Sequence, residues 1–494
     1  MFKEQYIKAT HYFGECSMGN FWNTFEEDKV ESDFEIIKSH GFNTIILILP
    51  WSPFQTKIDP ITYDQELLNR LSFICSKIKL NNFNLILRVG YLWSNSTENI
   101  TTFERYRKFF INKKLQYSWV DYIKTIENVV SNFNLNYKFF LCWEDFYWSV
   151  LRCNDNVTFE NRLTIAKGCG FQQYLSASYS VEELNSIYNV SVDNFNEVPL
   201  PLFNEALFKE LHFFFDNIYL LKIISLTKFA LKQDDIVYEH RVDSDLSSID
   251  GSLDSNYSKK HIKVDAIYYH PMIGEKSNKP FSAKEAVDHF TRVVGAFRAN
   301  SVQRGRPFID QLNFHISNPQ YPNFGRIKPE IHNQFLAGIL PTLSSHTSGY
   351  GVWGFFDWTN DKVFNGAFEL SLKGWDSYLA EEKANCLMLS AGASLYQKLK
   401  EPLKEATLEI RFTVDNKSLY FTVNGQRFDK TDKTLLIKYK RITEIDIKVF
   451  EGSIRVEKIS VYNHVYSNGM LTRARLERET SLLIKKINKS LNIN

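Results

Sequence analysis

The chain has 494 residues, of which 44% are hydrophobic and 23% are charged, a composition typical of globular proteins. Its 59 Lys and Arg nearly balance its 57 Asp and Glu, so the chain as a whole lacks the strong positive charge that is typical of nucleic-acid-binding proteins, and we expect no nucleic-acid partner. No apolar run reaches the ~18 residues of a transmembrane helix, and the first residues lack the apolar core of a signal peptide. These features favour a cytoplasmic protein that is long enough for a large barrel and an accessory module.

The six cysteines show no Cys-x-x-Cys spacing, so the sequence predicts no disulfide framework. Cys142, Cys153 and Cys169 come nearest to a ligand set, but a structural zinc ion usually has four closely spaced ligands. We therefore expect no metal site and no cofactor.

Short apolar runs alternate with helical patterns up to about residue 400. Near-continuous apolar strands separated by helices indicate a parallel sheet that is covered on both faces. Eight such units predict an α/β fold, a (β/α)8 TIM barrel over residues 1–400. A doubly wound sheet is less favoured, because no Gly-rich phosphate turn follows the first strand. The predicted strands are Ala9–Phe13, Asn43–Pro50, Asn84–Gly90, Phe139–Trp143, Ile236–Glu239, Val264–Tyr269, Phe308–Asn313 and Gly351–Asp357.

Beyond the barrel the apolar periodicity changes to two, with turn residues between the runs. This pattern predicts a small antiparallel β-sandwich domain over residues 405–466. Residues 467–494 carry six Lys and Arg against two Glu and show helical periodicity. This tail is either a packed or solvated helix, or a helix that contacts a membrane surface or a partner. Assembly into a homo-oligomer also stays open.

The fourth predicted strand ends at two adjacent carboxylates, Glu144 and Asp145, within the aromatic run Phe139–Trp148. A carboxylate at the end of a buried strand is costly unless it is paired or has a function. Sugar rings stack on aromatic faces, and a glycosidic oxygen needs a proton donor when its bond breaks. The segment therefore predicts the acid/base part of a carbohydrate site.

In (β/α)8 barrels the functional groups lie at the carboxyl ends of the strands. In this chain those ends carry polar and aromatic residues, beginning with His11 on the first strand. Together they indicate a pocket in which tryptophans contact sugar faces while polar groups bond sugar hydroxyls. The expected substrate-binding residues are Trp51, Arg88, Trp143, Glu239, Arg241, Tyr269, His270, Asn313, Trp353 and Trp358.

The fifth predicted strand is unusually charged. Glu239, Arg241 and Asp243 alternate along it, so their side chains share one face. In one interpretation Arg241 binds the carboxylate of an acidic sugar or the phosphate of a sugar nucleotide. In the other, the three residues form an ion-paired rim.

Several segments resemble the retaining glycoside hydrolases built on (β/α)8 barrels, and more narrowly the β-galactosidases of families 42 and 35. The closest is Phe171–Asn185, which is similar to the helix that follows the acid/base strand in family 42. Leu87–Tyr91 resembles the third strand of that group, Val264–Pro271 the sixth, and Gly349–Trp358 the eighth. The resemblance implies a carbohydrate substrate and a pair of catalytic carboxylates.

The chain departs from this pattern at both expected catalytic positions. The family carries Asn-Glu at the end of the fourth strand, where this chain has Trp143-Glu144-Asp145; we favour Glu144 as the general acid/base and keep Asp145 as the alternative. A nucleophilic Glu is expected at the end of the seventh strand, where this chain has Asp310 and Gln311. An amide is a poor nucleophile and cannot carry a covalent glycosyl intermediate.

Four interpretations of the second position stay open. Asp310 supplies the carboxylate, or another acid does, such as Glu239, Asp243 or Glu15. Alternatively Gln311 is an engineered replacement of a glutamate that traps substrate, or the barrel binds glycans without cleaving them.

The sequence thus predicts a glycoside hydrolase or transglycosidase that acts on a poly- or oligosaccharide by carboxylate chemistry. Two other functions are compatible with the same residues. One is a glycosyltransferase with a hydrolase-like barrel in bacterial surface-glycan assembly, and the other is a non-catalytic glycan-binding protein.

Overall fold

The computed structural model describes residues 5–92, 101–150, 158–202, 205–232, 236–242, 265–269, 281–300, 305–312, 327, 329–368, 372–383, 386–414, 419–429, 433–466 and 469–491. The chain divides into two compact units. The barrel unit comprises Met1–Tyr12, Ile37–Trp353 and Glu479–Asn494, and the second unit comprises Phe13–Ile36 and Gly354–Arg478.

Eight parallel strands close into a barrel, which confirms the predicted (β/α)8 fold. The circle closes where the first strand pairs with the last, Ile7 opposite Gly349, and with the second, Ala9 opposite Thr44. A separate hairpin of β3 (Lys57–Ile58) and β4 (Ile61–Thr62) follows the second strand. The barrel strands are β1 (Ile7–His11), β2 (Thr44–Pro50), β5 (Asn84–Tyr91), β6 (Tyr137–Cys142), β7 (Val237–Val242), β8 (Ala266–Tyr269), β9 (Phe308–Leu312) and β10 (Gly349–Val352).

Several predicted strand ends differ from the structure: the first strand ends at His11 and not at Phe13, and the fifth continues past Glu239 to Val242. Trp143, predicted as the last residue of the fourth strand, is instead the first residue of a helix. The eighth strand ends at Val352, and a turn with Gly354 at φ +73° follows it. Glycine adopts a positive φ readily, so residue 354 can form this turn. The second unit resumes at Gly354, and Asp357 and Trp358 belong to it.

The barrel interior is built in layers. Its central layer is a buried apolar cluster to which most of the strands contribute: Ile7, Ala9, Ile46, Ile86, Phe140, Cys142, Val237, Ala266 and Phe308. Side chains two positions apart on a strand point to the same face. His11, Arg88 and Asp310 each follow a member of this cluster by two residues, so they form a polar layer at the carboxyl end of the barrel.

Several helices begin at a residue whose side chain caps the helix N-terminus. Asp64 caps the third helix, and Thr101 with Glu104 and Ser180 with Glu183 form capping boxes. The helices are α1 (Glu27–Ser39), α2 (Trp51–Phe54), α3 (Gln65–Leu80), α4 (Thr102–Phe109), α5 (Lys113–Ser131), α6 (Trp143–Val150), α7 (Phe159–Cys169), α8 (Phe171–Ser178), α9 (Val181–Tyr188), α10 (Phe208–Phe214), α11 (Leu220–Leu231), α12 (Ala283–Asn300), α13 (His332–His346) and α14 (Glu479–Ser490). Among the described residues, none of these is both long and apolar enough to cross a membrane.

The second unit contains the predicted antiparallel sheet. Its long strand β13 pairs with β12, β16 and β17, and shifts register between Lys398 and Leu403. Residues on both sides of that shift, such as Leu389 and Leu408, join one buried core, so the sheet folds over itself. The strands are β11 (Trp358–Thr359), β12 (Asp376–Lys383), β13 (Cys386–Val414), β14 (Tyr420–Val423), β15 (Gln426–Phe428), β16 (Thr434–Glu451), β17 (Ser453–Tyr462) and β18 (Val465–Tyr466). The sheet begins at Asp376, so the predicted boundary at residues 400–405 lies inside β13.

The C-terminal helix α14 packs on the barrel unit through buried Asn488. The Asn488 amide oxygen accepts a hydrogen bond from the Tyr350 hydroxyl at 2.6 Å, and its amide nitrogen donates to the His40 carbonyl at 2.9 Å. The ammonium of Lys8 donates to the Asn488 backbone carbonyl at 3.1 Å. This part of the predicted tail is therefore a packed helix, whereas residues 469–478 belong to the second unit.

Glu15 lies in a cluster of charges inside the second unit. Its carboxylate, 4% exposed, is 2.9 Å from Lys29, 3.3 Å from Arg411 and 3.1 Å from Arg475. Burial alone would raise the pKa of Glu15, but the surrounding cations, Lys458 first among them, hold it well below the usual range. Glu15 is thus a buried, ion-paired residue of the second unit, and its role as the second catalytic carboxylate stays a prediction.

We expect Glu15→Gln to lower the free energy of unfolding of the second unit by about 3–5 kcal/mol, because the substitution removes the buried anion that several partly buried cations share. Urea unfolding followed by circular dichroism measures the change. The control is Asp446→Asn, since Asp446 pairs at 2.9 Å with Lys448, whose side chain is 52% exposed. Such an exposed pair contributes about 0–1 kcal/mol, and equal effects in both variants would contradict a buried cluster.

The same cluster predicts acid sensitivity. Lys458 and Lys29 overcome burial and lower the pKa of Glu26 to about 2, and the pKa of Glu15 is lowered further. A carboxyl whose pKa is depressed on folding adds stability above its unfolded pKa of about 4.3, and this stability is lost as the pH falls. The free energy of unfolding should therefore decrease as the pH is lowered from 6 to 2. In Glu15→Gln this free energy should depend less steeply on pH.

Candidate active site

Arg88 and Asp145 form a buried ion pair at the carboxyl end of the barrel. The guanidinium donates two hydrogen bonds to the carboxylate, from Nε at 2.8 Å and from Nη2 at 2.9 Å. Both side chains are at most 1% exposed. Burial raises the pKa of Asp145 to about 6, although Arg88 opposes this shift. The paired geometry fixes the first turn of α6 against β5.

Glu144 is the accessible member of the carboxylate pair. Its side chain is 19% exposed, and its Oε2 lies 3.7 Å from Arg88 Nη2, longer than a hydrogen bond. It stands in the first turn of α6, where the helix dipole stabilises a negative charge. The two candidates for the general acid/base therefore have different environments: Asp145 is buried against Arg88, and Glu144 is partly exposed.

Aromatic rings flank Arg88. Its guanidinium lies 5.1 Å from the ring centre of Tyr91 and 5.8 Å from that of Trp353. Trp353 is partly exposed and packs against the His11 ring, with 4.8 Å between the ring centres. Gly90 has φ +76° at a bulge of β5, and a Cβ there would lie 2.1 Å from the Tyr106 hydroxyl. Only glycine fits this bulge, which places Tyr91 beside Arg88.

His11 and Asp310 face each other in the polar layer. His11 Nε2 is 3.5 Å from Asp310 Oδ1, and both side chains are fully buried. His11 Nδ1 lies 3.2 Å from the Val352 carbonyl, which can only accept, so Nδ1 carries the proton. Burial lowers the pKa of His11 to about 4, Asp310 opposing and Arg88 adding to the shift. Neutral His11 therefore presents the lone pair of Nε2 to Asp310.

Asp310 is an unusual buried carboxylate. Neither of its oxygens accepts a hydrogen bond from any residue that the structure describes. Most buried polar groups have such a partner, and exceptions concentrate at functional sites. Its neighbour Gln311 is 2% exposed, so both candidates for the second catalytic position are buried in this conformation.

Three of the predicted tryptophans are packed in other surroundings. Trp51 is fully buried in a cluster with Tyr106, Trp119 and Arg105, and offers no open face for a sugar. Trp358 lies in the second unit and stacks on Tyr466 at 3.8 Å. Trp143 is 2% exposed, and its indole N–H donates to Asp216 Oδ1 at 2.9 Å. Of the four, only Trp353 combines partial exposure with a place beside Arg88.

The other predicted residues are placed as follows. Tyr269 is 1% exposed, and its hydroxyl bonds to His289 Nδ1 at 3.0 Å. Glu239 and Arg241 lie on β7, where the Glu239 backbone pairs with Cys142 and Ala266. His270, Asn313 and Asp243 lie outside the described residues.

Sequence reasoning missed Asp216 and His289, which support Trp143 and Tyr269. Asp216 lies on a helix 73 residues from Trp143, His289 lies on a helix 20 residues from Tyr269, and no local motif marks either residue. Among the described residues, no group of three His, Cys, Asp or Glu side chains is arranged to bind a metal ion.

No protein-family model and no curated protein matches the sequence. Solved structures with a similar chain course include GH5_18 from Streptomyces cattleya in complex with GlcNAc, at 10% identity over 99% of this chain and 82% of that chain, with a TM-score of 0.46. They also include the exo-β-1,4-mannosidase Op5Man5 from Opitutaceae bacterium strain TAV5, at 12% identity over 72% and 53%, with a TM-score of 0.40. The narrower resemblance to families 42 and 35 stays a prediction.

We expect Arg88→Met to lower the free energy of unfolding of the barrel unit by about 3–5 kcal/mol, because it leaves Asp145 buried without its counterion. Urea unfolding followed by tryptophan fluorescence measures this loss. The double variant Arg88→Met/Asp145→Leu replaces both ions by apolar groups and should recover most of it. A double variant that is as unstable as the single one would show that packing, and not charge pairing, is lost.

Proposed function

We propose that the barrel unit cleaves glycosidic bonds, with Glu144 as the general acid/base. The observation that carries the proposal is the contrast between two adjacent carboxylates at the end of β6. Asp145 is buried and fixed by Arg88, whereas Glu144 is partly exposed at the carboxyl end of the barrel. A carboxyl group that is held in place yet can reach a ligand suits proton transfer to a glycosidic oxygen.

The neighbouring groups support a sugar ligand at this position. Trp353 presents a partly exposed ring, and Arg88 lies against that ring with its charge balanced by Asp145. Sugar faces pack on aromatic rings. The sequence resemblance to retaining glycoside hydrolases on (β/α)8 barrels points to the same ligand class.

In the proposed reaction, protonated Glu144 gives its proton to the glycosidic oxygen while the bond to the anomeric carbon breaks, and the bonding electrons stay on the leaving oxygen. A second carboxylate stabilises or attacks the positive anomeric carbon. Water then adds to that carbon, displaces the second carboxylate where it has formed a bond, and gives a proton back to Glu144. Transfer to a sugar acceptor would follow the same first step and replace water by a sugar hydroxyl.

We assign the second carboxylate to Asp310. It lies in the polar layer that contains Arg88, and no described group donates a hydrogen bond to it. An unsatisfied buried carboxylate is costly, and a function at the anomeric carbon would account for its retention.

A second candidate function is glycan binding without cleavage. Asp310 is fully buried, and Gln311, next to it, carries an amide where the resemblance implies a nucleophilic glutamate. A barrel without an accessible second carboxylate would bind a sugar on Trp353 and leave it intact.

Turnover of a panel of aryl glycosides tests the proposal. We expect kcat/KM of Glu144→Gln to fall by about 10²–10⁴-fold, the usual contribution of a general acid/base. We expect kcat/KM of Asp310→Asn to fall by at least the same factor. The control is Asp59→Asn, since Asp59 is 60% exposed and pairs with Lys114 on the surface.

The outcomes separate the two functions. Unchanged turnover in Glu144→Gln would overturn the assignment of the acid/base. Absence of turnover in the parent, together with measurable sugar binding that Trp353→Ala abolishes, would favour the non-catalytic function. Activity that appears only in Gln311→Glu would place the second carboxylate at residue 311.

A further inference from the structure

We infer that Asp216 is a positioning residue for Glu144 and acts through the indole of Trp143. This inference rests on the proposed function of Glu144. Asp216 lies 72 residues beyond Glu144, on the long helix that runs from α10 into α11. Its only described hydrogen bond is accepted from Trp143, the residue directly before Glu144.

The contact between Asp216 and Trp143 is buried and charge-assisted. Trp143 Nε1 donates to Asp216 Oδ1 at 2.9 Å, and the two residues are 2% and 0% exposed. A hydrogen bond to an ionised acceptor is about twice as strong as one between neutral groups. An indole has one N–H, so this bond uses its whole donor capacity and sets the orientation of the ring.

Packing holds the same ring from both sides. Trp143 stacks on Tyr147 with 4.2 Å between ring centres and an angle of 24°, and Phe215 meets it edge-on at 5.9 Å. Phe215 directly precedes Asp216, so one segment supplies both the hydrogen bond and the edge contact. The Trp143 side chain therefore has little freedom to rotate.

Glu144 consequently stands between two fixed neighbours. Trp143 is tied to Asp216, and Asp145 is tied to Arg88. The three residues share the first turn of α6, so a shift of either neighbour moves the backbone that carries Glu144. Small errors in the placement of an acid/base cost rate because proton transfer needs a short, aligned contact.

The helix is distorted where Asp216 lies. Residues Phe215–Tyr219 form a π-helical turn between α10 and α11. Such a turn inserts one residue, which rotates the following side chains by about 100° relative to an unbroken α-helix. Turns of this kind are frequent at functional sites, and this one accompanies the segment that holds Trp143.

One further group faces Asp216. His212 Nδ1 lies 3.8 Å from Asp216 Oδ2, and neither atom has a hydrogen-bond partner among the described residues. The second oxygen of Asp216 is thus not committed to a fold-stabilising bond there. The bond to Trp143 is the specific contact that the carboxylate makes.

The test is the dependence of rate on the leaving group. Displacement of the general acid slows the cleavage of glycosides with poor leaving groups, because these leaving groups need a proton. It has little effect on glycosides with good leaving groups, which depart without protonation. We expect kcat/KM of Asp216→Asn to fall about tenfold or more for a phenyl glycoside and less than about twofold for the 2,4-dinitrophenyl glycoside. Trp143→Phe removes the donor but keeps a ring, and should give the same selective loss.

Glu210→Gln is the matched control. Glu210 is a buried carboxylate on the same helix that accepts hydrogen bonds from Tyr174 and Tyr188, neither of which adjoins Glu144. Loss of this carboxylate should change kcat/KM for both glycosides by the same factor or leave both values unchanged. Urea unfolding of each variant reports whether it folds, and Trp143→Phe replaces Asp216→Asn if the latter does not.

An equal loss on both substrates in Asp216→Asn and Trp143→Phe would overturn the inference, because Asp216 would then only stabilise the fold. An unchanged profile in both would overturn it as well. In either case an active parent leaves the role of Glu144 standing. A parent that turns over no aryl glycoside would overturn both proposals together.

Discussion

The ion pair between Arg88 and Asp145 is the constraint on which the candidate site depends. A guanidinium inside a barrel loses its hydration, a cost of several kcal/mol that only a well-placed counterion offsets. Asp145 meets that need with two hydrogen bonds, and in doing so ties β5 to the first turn of α6. This pairing also fixes the position of Glu144, because Glu144 directly precedes Asp145 in the first turn of α6. Trp353 and Tyr91 complete the surroundings of the guanidinium.

Three carboxylates at the carboxyl end of the barrel differ in their environments. Asp145 is ion-paired, Glu144 is partly exposed, and Asp310 is buried opposite a neutral His11. Enzymes that use two carboxyl groups commonly distinguish them in this way, by burial and partners and not by residue type. Two further side chains, Arg88 and Asp216, hold the residues on either side of Glu144 by hydrogen bonds.

Most of the barrel could be predicted because its strands are buried on both faces and read as continuous apolar runs, as in Thr44–Pro50. The ends of the strands are harder to predict, because an apolar run can continue into a helix: Trp143 extends the apolar run of the fourth strand but is the first residue of α6. The sequence marks Arg88 and Asp145 as polar residues at strand ends, but it does not show that they pair with each other. Trp51 is fully buried in the structure, and an apolar ring at a strand end suits a sugar face and a core equally well. The contact of Trp143 with Asp216 arises from the packing of a distant helix, which no local pattern encodes.

The docking of α14 has a consequence for how the protein is made. Lys8 in the first strand and Asn488 in the last helix are in direct contact, although 480 residues separate them. A ribosome releases the first strand long before the last helix, and the whole second unit is synthesised between them. The barrel therefore cannot complete this contact until the second unit and α14 have both been synthesised. Contacts of such long range slow folding, so the nascent barrel would remain a substrate for chaperones until its last helix arrives.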